Sequence, residues 1–305
     1  MARDVRSLGY GDLAQRPRLK AIGIGGAGCN AIANSPFPSV GLCSHLDNVN
    51  VPPNQRRLVL SPDEMSLFAS ATPQLIGGVE RSISKRLREE IEGYDLVFLF
   101  AGLGGETGSR VIPGLANLCR RLSGMVVASV TMPFSAEGPG RRGTAAAALP
   151  RLIDAAHLTI TYPNDGLLKV APNLPFRRTF KVMDGIMMVP PQELAGVLTR
   201  NDLRVLKSDL GAGRHMRMGA GAGLGLQRES VAVSEAFDSP WFDFDLSGTT
   251  VALVVVSGRE VDEYSLRDIL GHVQARVPNA MVRYGVRSDP AAEDLRVTVL
   301  LDTGT

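Results

Sequence analysis

Twice in this chain a run of β-forming residues feeds directly into a glycine-rich turn and then into a helix-like segment. Lys20–Ile24 leads into Gly23-Ile24-Gly25-Gly26-Ala27-Gly28, which opens a helix at Asn30. Asp95–Ala101 leads into Gly102-Leu103-Gly104-Gly105-Glu106-Thr107-Gly108-Ser109. A strand that turns sharply into a helix needs residues without a Cβ. The helix start then aims unpaired backbone N–H groups and a partial positive charge beyond the strand end. Strands that alternate with helices in this way predict a mostly parallel sheet with helices on both faces.

The rest of the first half continues the pattern. Further strands are expected at Leu42–Leu46, Arg57–Leu60, Met125–Thr131 and Leu158–Tyr162. Leu75, Val79, Ile83, Leu87 and Ile91 recur every four residues, the stripe of one amphipathic helix. A helix after Gly108 carries Ile112, Leu115, Cys119 and Leu122, with Pro113 tolerable only in its first turn. Another spans roughly Thr144–Ala156, although it contains Pro150. Phe176–Leu210 is a helical connector in which Pro190-Pro191 should end or bend the helix. Beyond Gly211 the pattern changes to a compact α+β domain. It has an extended Met216–Gly223, helices at Gln227–Phe237 and Leu266–Val277, and strands at Val251–Ser257, Met281–Val286 and Leu295–Leu301.

Composition narrows the function. A chain of 305 residues suits about two domains. Lys and Arg total 33 against 31 Asp and Glu, a net +2, too balanced for a nucleic-acid or anionic-membrane binder. No purely apolar run is longer than the six residues of Val251–Val256, and Met1–Lys20 is polar and Arg-rich, so a cytoplasmic protein is expected. Three cysteines without CxxC spacing and four scattered histidines give no disulfide frame and no metal site. His45 and His157 read as structural, Cys29 as packing, and Arg3, Arg6, Arg16 and Arg18 as a solvated arm.

The first loop satisfies GxGxxG, and Asp47 lies about 20 residues on, the spacing of a dinucleotide fingerprint. By itself this leaves an NAD-dependent oxidoreductase open. The second loop favours a different ligand. Its glycines let backbone N–H groups converge on phosphate oxygens, and Thr107 and Ser109 add hydroxyls. No GK[ST] follows, so it is not a Walker loop. Two such cradles suit a nucleoside di- or triphosphate.

These residues resemble a family. Gly25-Gly26-Ala27-Gly28-Cys29-Asn30 resembles the first phosphate loop of FtsZ, the prokaryotic tubulin homologue. Gly102–Ser109, with Gly104, Gly105, Glu106, Thr107 and Gly108 at its centre, resembles the tubulin/FtsZ signature GGGTG[ST]G. Thr131-Met132-Pro133-Phe134 with Glu137 and Arg141 resembles the segment that holds the ribose and base side of GTP. Tyr162–Leu168 resembles I-P-N-D-x-L-L, whose Asn, here Asn164, reaches the nucleotide. Phe180 and Asp184 resemble the aromatic that stacks on guanine and the group that reads its edge. Ala69–Pro73, including Ala71 and Thr72, takes the place of the loop that senses the γ-phosphate. Asp47 matches an acid near the metal, so Mg2+ joins GTP or GDP as an implied cofactor. The resemblance runs from Leu19 to about Asp302.

It implies a tubulin/FtsZ-like α/β fold. A Rossmann-like GTP-binding domain with an N-terminal arm covers residues 1–178, a central helix and loop 179–202, and an α+β domain 203–305. It also implies head-to-tail self-association into filaments and no nucleic-acid partner, with a membrane adaptor as a further partner. The family's C-terminal linker and partner-binding peptide are not expected here. Two departures bear on chemistry. Glu106 and Arg110 replace glycines of the signature, so Glu106 points away, pairs with Arg110 or helps hold a cation. The family's loop N-x-D-x-x-D, which positions the attacking water in a neighbour's pocket, falls at Val197–Asp202, where only Asp202 keeps an acid. Slow or absent GTP hydrolysis is the expectation, with Asp202 as the candidate catalytic residue or a helix cap. A divergent relative that neither hydrolyses nor polymerises, as a closed dimer or regulator, is the alternative.

Overall fold

The computed structural model describes residues 4–9, 15–45, 47, 55–173, 175–211 and 213–304; Arg3 and Leu46 lie outside them. In chain order the first half comprises β1 (Val5–Ser7), β2 (Leu19–Ile24), α1 (Gly25–Ala31), β3 (Ser39–Cys43), β4 (Arg56–Val59), α2 (Pro62–Ser70), α3 (Ile76–Ser82), α4 (Lys85–Glu89), β5 (Leu96–Gly102) and α5 (Glu106–Leu122). There follow β6 (Met125–Met132), α6 (Pro139–Ala155), β7 (Leu158–Pro163), α7 (Asp165–Val170), α8 (Phe176–Val197) and α9 (Arg200–Leu210). The last elements are β8 (Arg214–Gly223), α10 (Arg228–Phe237), β9 (Val251–Gly258), α11 (Glu263–Arg276), β10 (Met281–Ser288) and β11 (Leu295–Asp302). The chain forms two compact units: Pro17–Val189 with Leu203–Arg214, and Met1–Arg16 with Pro190–Asp202 and His215–Thr305. Among the described residues no helix is long and apolar enough to cross a membrane.

The first unit is built on parallel strands in the order β7-β6-β5-β2-β3-β4. β5 and β6 are buried almost end to end, as strands covered on both faces must be. Register positions the loops. Ile24 pairs with Ala101, Gly102 with Thr131 and Met132 with Pro163, so the chain leaves β2, β5, β6 and β7 along one edge. The core packs Ile22, Leu99, Val111, Leu115, Val126 and Leu152 between sheet and helices.

Several expectations are corrected here. The stripe from Leu75 to Ile91 is not one helix: Ile83 and Ser84 are both extended, and α3 and α4 lie either side. Val79, Leu87 and Ile91 are still buried, but Leu75 is 58% exposed. α2 was missed although Ser61 and Glu64 form a reciprocal capping box with Pro62 at its first position. β3 begins at Ser39, where it pairs with Ala21, rather than at Leu42. α1 begins at Gly25, not Asn30, so the glycines form its first turn. α5 begins at Glu106, so Pro113 sits inside it, and Pro150 sits inside α6.

Pro190 and Pro191 lie inside α8, which runs on from Phe176 to Val197. Proline at position 191 deprives the carbonyl of Met187, four residues earlier, of its helical donor. The Ser129 hydroxyl of β6 donates to that carbonyl at 2.9 Å and fills the gap.

In the second unit the strand order is β1-β10-β9-β11-β8, with β11 antiparallel to both neighbours and β10 parallel to β9. Gly219, Gly221 and Gly223 alternate along β8 toward α10. A Cβ at these positions would fall 1.9, 2.2 and 2.0 Å from the carbonyl oxygens of Ala236, Ala232 and Arg228. The glycine-rich stretch therefore records a close strand–helix approach. Among the described N-terminal residues part of the expected arm is docked: Val5–Ser7 pairs with Val282–Tyr284 and Leu8 is buried, while the Arg6 side chain stays 63% exposed.

Candidate nucleotide site

The strand ends of the first unit surround one recess. Its walls include Gly25, Gly26 and Ala27 from the first loop, and Gly102, Leu103, Gly105, Glu106, Thr107 and Gly108 from the second. Asp47, Thr131, Pro133, Glu137, Arg141, Asn164 and Phe180 complete it. Both glycine turns are conformationally committed. Gly25 has φ +69° and Gly104 φ +97°, where side chains are strained. A Cβ on Gly25 would also lie 3.3 Å from the Gly108 nitrogen, so the two loops meet backbone to backbone.

Side chains behind the loops lock them. Thr107 Oγ1 donates to Ser44 Oγ at 3.1 Å; the Ser44 N–H and hydroxyl donate to Asp47 Oδ2 at 2.7 and 3.0 Å. The Ser109 hydroxyl accepts the Gly104 N–H at 2.8 Å and thus fixes the turn rather than facing the recess. Gly102, Leu103 and Thr131 stood within the sequence motifs without being singled out as site residues, and sequence reasoning missed Ser44, which carried no motif.

Two of the recess carboxylates are paired with arginines. Glu106 takes the second of the three roles open to it: Arg110 lies 3.0 Å from its Oε1, and its side chain is 63% exposed. Arg141 pairs with Glu137 at 2.7 Å, and Glu137 also accepts the Phe134 N–H at 2.7 Å, fixing the loop after β6. Phe134 packs edge-on to Phe180 at 6.1 Å, which orients the ring that faces the recess. Asp184 lies one helical turn beyond Phe180, on the same side of α8, but is not itself among the residues that line the recess. Burial raises its carboxyl to about 7.

Asn164 is 5% exposed, lines the recess, and its Oδ1 accepts no hydrogen bond from the described residues. A buried amide left in this state is costly, so it marks a place where a ligand donor belongs. Backbone N–H groups at two helix starts, an unsatisfied acceptor and an aromatic face together fit a nucleotide.

Other expected residues lie elsewhere. Gly28 packs beneath β5, its Cβ position 2.1 Å from the Phe100 oxygen, and Asn30 is exposed on α1. Ala71 is buried against Gly114 of α5, and Thr72 is exposed; neither lines the recess. Asp202 belongs to the second unit and is 8% exposed. Its Oδ2 accepts from the Thr199 N–H (2.7 Å), the Thr199 hydroxyl (2.6 Å) and the Gly9 N–H (3.0 Å). The Asp202 N–H returns a bond to Thr199 Oγ1 at 3.2 Å. This is a reciprocal cap at the start of α9.

Cys29 is buried, its thiol pushed up to about 12 by desolvation, which suits packing and not nucleophilic attack. Buried His157 accepts the Val126 N–H on Nδ1, and burial lowers it to about 4. Among the described residues no three His, Cys, Asp or Glu side chains gather as a metal-holding group.

The geometry agrees with comparisons to known proteins. Residues 43–172 match the model of the Tubulin/FtsZ family, GTPase domain. Cell division protein FtsZ 1 of Pyrococcus furiosus is 32% identical over 94% of this chain and 81% of its own length. Its counterpart in Archaeoglobus fulgidus is 31% identical over 94% and 82%. Among solved structures, the empty FtsZ dimer of M. jannaschii superposes with a TM-score of 0.79 at 25% identity, covering 95% of this chain and 89% of that one. The GDP-bound CetZ1 monomer of Haloferax volcanii shares the fold, with a TM-score of 0.74 at 19% identity over 94% of each chain. With a shared fold and about a third of the aligned residues identical to FtsZ 1 relatives over 94% of its length, the chain belongs to the tubulin/FtsZ family as an FtsZ-like protein.

Proposed function

We propose that this FtsZ-like protein seats the phosphate tail of GTP or GDP between its two glycine loops, self-associates head to tail into filaments, and hydrolyses GTP slowly or not at all. Family membership carries the coarser statement: this is a guanine-nucleotide-binding, cytoskeletal type of protein. The observation that carries the nucleotide reading is the recess itself, where both glycine turns and the unsatisfied Asn164 Oδ1 converge. Phe180 supports a stacked base, and Asp184 supports pairing with a guanine edge.

In this reading Gly25, Gly26, Gly105 and Gly108 present backbone donors, while Glu137 and Arg141 hold the sugar side. Asp47 is the one recess carboxylate without an ion-pair partner among the described residues. That suits a Mg2+ held mainly by ligand phosphates with one protein carboxylate. The metal would offset charge on the phosphate tail. Membrane attachment falls to an adaptor protein, and the cytoplasm is the proposed location.

Self-association follows the family. A heterologous contact that does not close on itself builds filaments. The M. jannaschii FtsZ neighbour is a dimer, which supports a paired contact. Asp202 favours slow hydrolysis. A group that orients a water in a neighbour's pocket must reach it, yet Asp202 is 8% exposed and its Oδ2 takes three donors from its own chain, which commits the carboxylate to a capping role. Val197 and Thr199 supply no second acid. Such assistance is typically worth about 10²–10⁴-fold in rate.

Ion-pair chromatography of the denatured, purified protein should recover a guanine nucleotide. Pelleting with GTP, with GDP and with neither should separate filaments from a closed dimer. Phosphate release per subunit should fall well below that of an ordinary FtsZ and be unaffected by Asp202→Ala. Release at the usual rate that is abolished by that substitution would refute the capped-acid reading.

A further inference from the structure

We propose that Glu106 is a charge selector: it makes the recess favour a nucleoside diphosphate over a metal-free triphosphate, while Arg110 moderates it. The proposal rests on the nucleotide reading above and adds to it which phosphate tail is taken and what decides the choice.

Glu106 is the first residue of α5 and follows Gly105 directly, so its carboxylate sits where that helix would otherwise offer an anion only donors and partial positive charge. It lines the recess together with Gly25, Gly105 and Gly108. Among the described residues the lining holds three carboxylates, Asp47, Glu106 and Glu137, against one guanidinium, that of Arg141, which Glu137 already engages. Each added negative charge on a ligand tail therefore meets a net negative wall. A triphosphate carries more charge than a diphosphate and is penalised more, unless a divalent cation travels with it.

Magnitude and sign both follow from the pairing. Glu106 is 63% exposed and 3.0 Å from Arg110, which is itself 46% exposed. Solvent and the guanidinium reduce the repulsion to roughly tenfold in relative affinity, far below that of a bare buried pair. Arg110 does not line the recess, so its influence on the tail passes through Glu106. A helix-start role alone would shift melting temperature without changing the ratio of the two affinities.

The test is equilibrium titration of nucleotide-free protein with GDP and with a non-hydrolysable GTP analogue, each in EDTA and in excess Mg2+. In EDTA, Glu106→Gln should tighten the triphosphate analogue about five- to tenfold more than GDP, and Mg2+ should shrink that difference. Arg110→Gln should shift the ratio the opposite way, and lose that effect in the Glu106→Gln background. If Glu106→Gln changes both ligands equally, or if Arg110→Gln weakens the analogue equally in both backgrounds, the selector is refuted while nucleotide binding stands. If the unaltered protein takes neither ligand, the nucleotide reading itself falls, and the selector with it.

Discussion

On the proposed guanine-reading role, Asp184 would tie ligand affinity to acidity. Burial in α8 lifts its carboxyl to about 7, so it gains a proton as pH falls through neutrality. Only the ionised form can accept from both donors of a guanine edge. Affinity for GDP should therefore be level above pH 7 and fall by up to about tenfold per unit below it. Asp184→Asn should flatten the profile; fluorescence titration from pH 6 to 8 measures both. A flat profile in the unaltered protein would remove Asp184 from base recognition. Neighbouring residues were legible to differing degrees. The family resemblance pointed to Asn164, which follows the end of β7, and to Phe180 in the second turn of α8, and both line the recess. Ser109 misled: its hydroxyl reads as a phosphate donor, yet it is turned back onto the Gly104 N–H. A motif gives residue type and order, whereas the rotamer is decided by the nearest unsatisfied donor.

Elements were legible where the interaction that makes them is local. The parallel strands of the first unit and the helices α5, α6, α10 and α11 follow from nearby periodicity. α8 does not, because proline normally breaks a helix and the compensation comes from Ser129, 58 residues before Met187. Removing that hydroxyl leaves a buried carbonyl unsatisfied. Ser129→Ala should destabilise the first unit by about 1–3 kcal/mol. Urea unfolding followed by helical circular dichroism reads this, and an unchanged midpoint would mean the carbonyl finds another partner. The α3–α4 break is a related case. A four-residue stripe is shared by two short helices when the turn between them keeps the same face inward, so spacing alone overstates helix length.

At the scale of the whole chain, the ends of the sequence are brought together in the second unit, which no local pattern announces. β1 is three residues long and pairs with β10, whose Arg283 is 1% exposed and reaches Asp4 Oδ2 at 3.1 Å. The Leu8 N–H donates to the Tyr284 carbonyl, and the Gly9 N–H ends on Asp202. An Arg-rich start reads as solvated because charge is visible in sequence, while the buried guanidinium it serves lies some 280 positions away. The hydrogen bond from Arg283, aided by its charge, holds the Asp4 carboxyl below its ordinary value. A lowered acid contributes stability that is complete above the unfolded value near 3.8 and vanishes as pH falls through the folded one. Asp4→Asn should therefore be less stable than the unaltered chain at pH 7, and the gap should close progressively below pH 4. Urea midpoints across that range decide it. Equal midpoints at pH 7 would mean that strand pairing by Val5–Ser7 holds the arm without the ion pair, and that Arg283 is satisfied by its other partners.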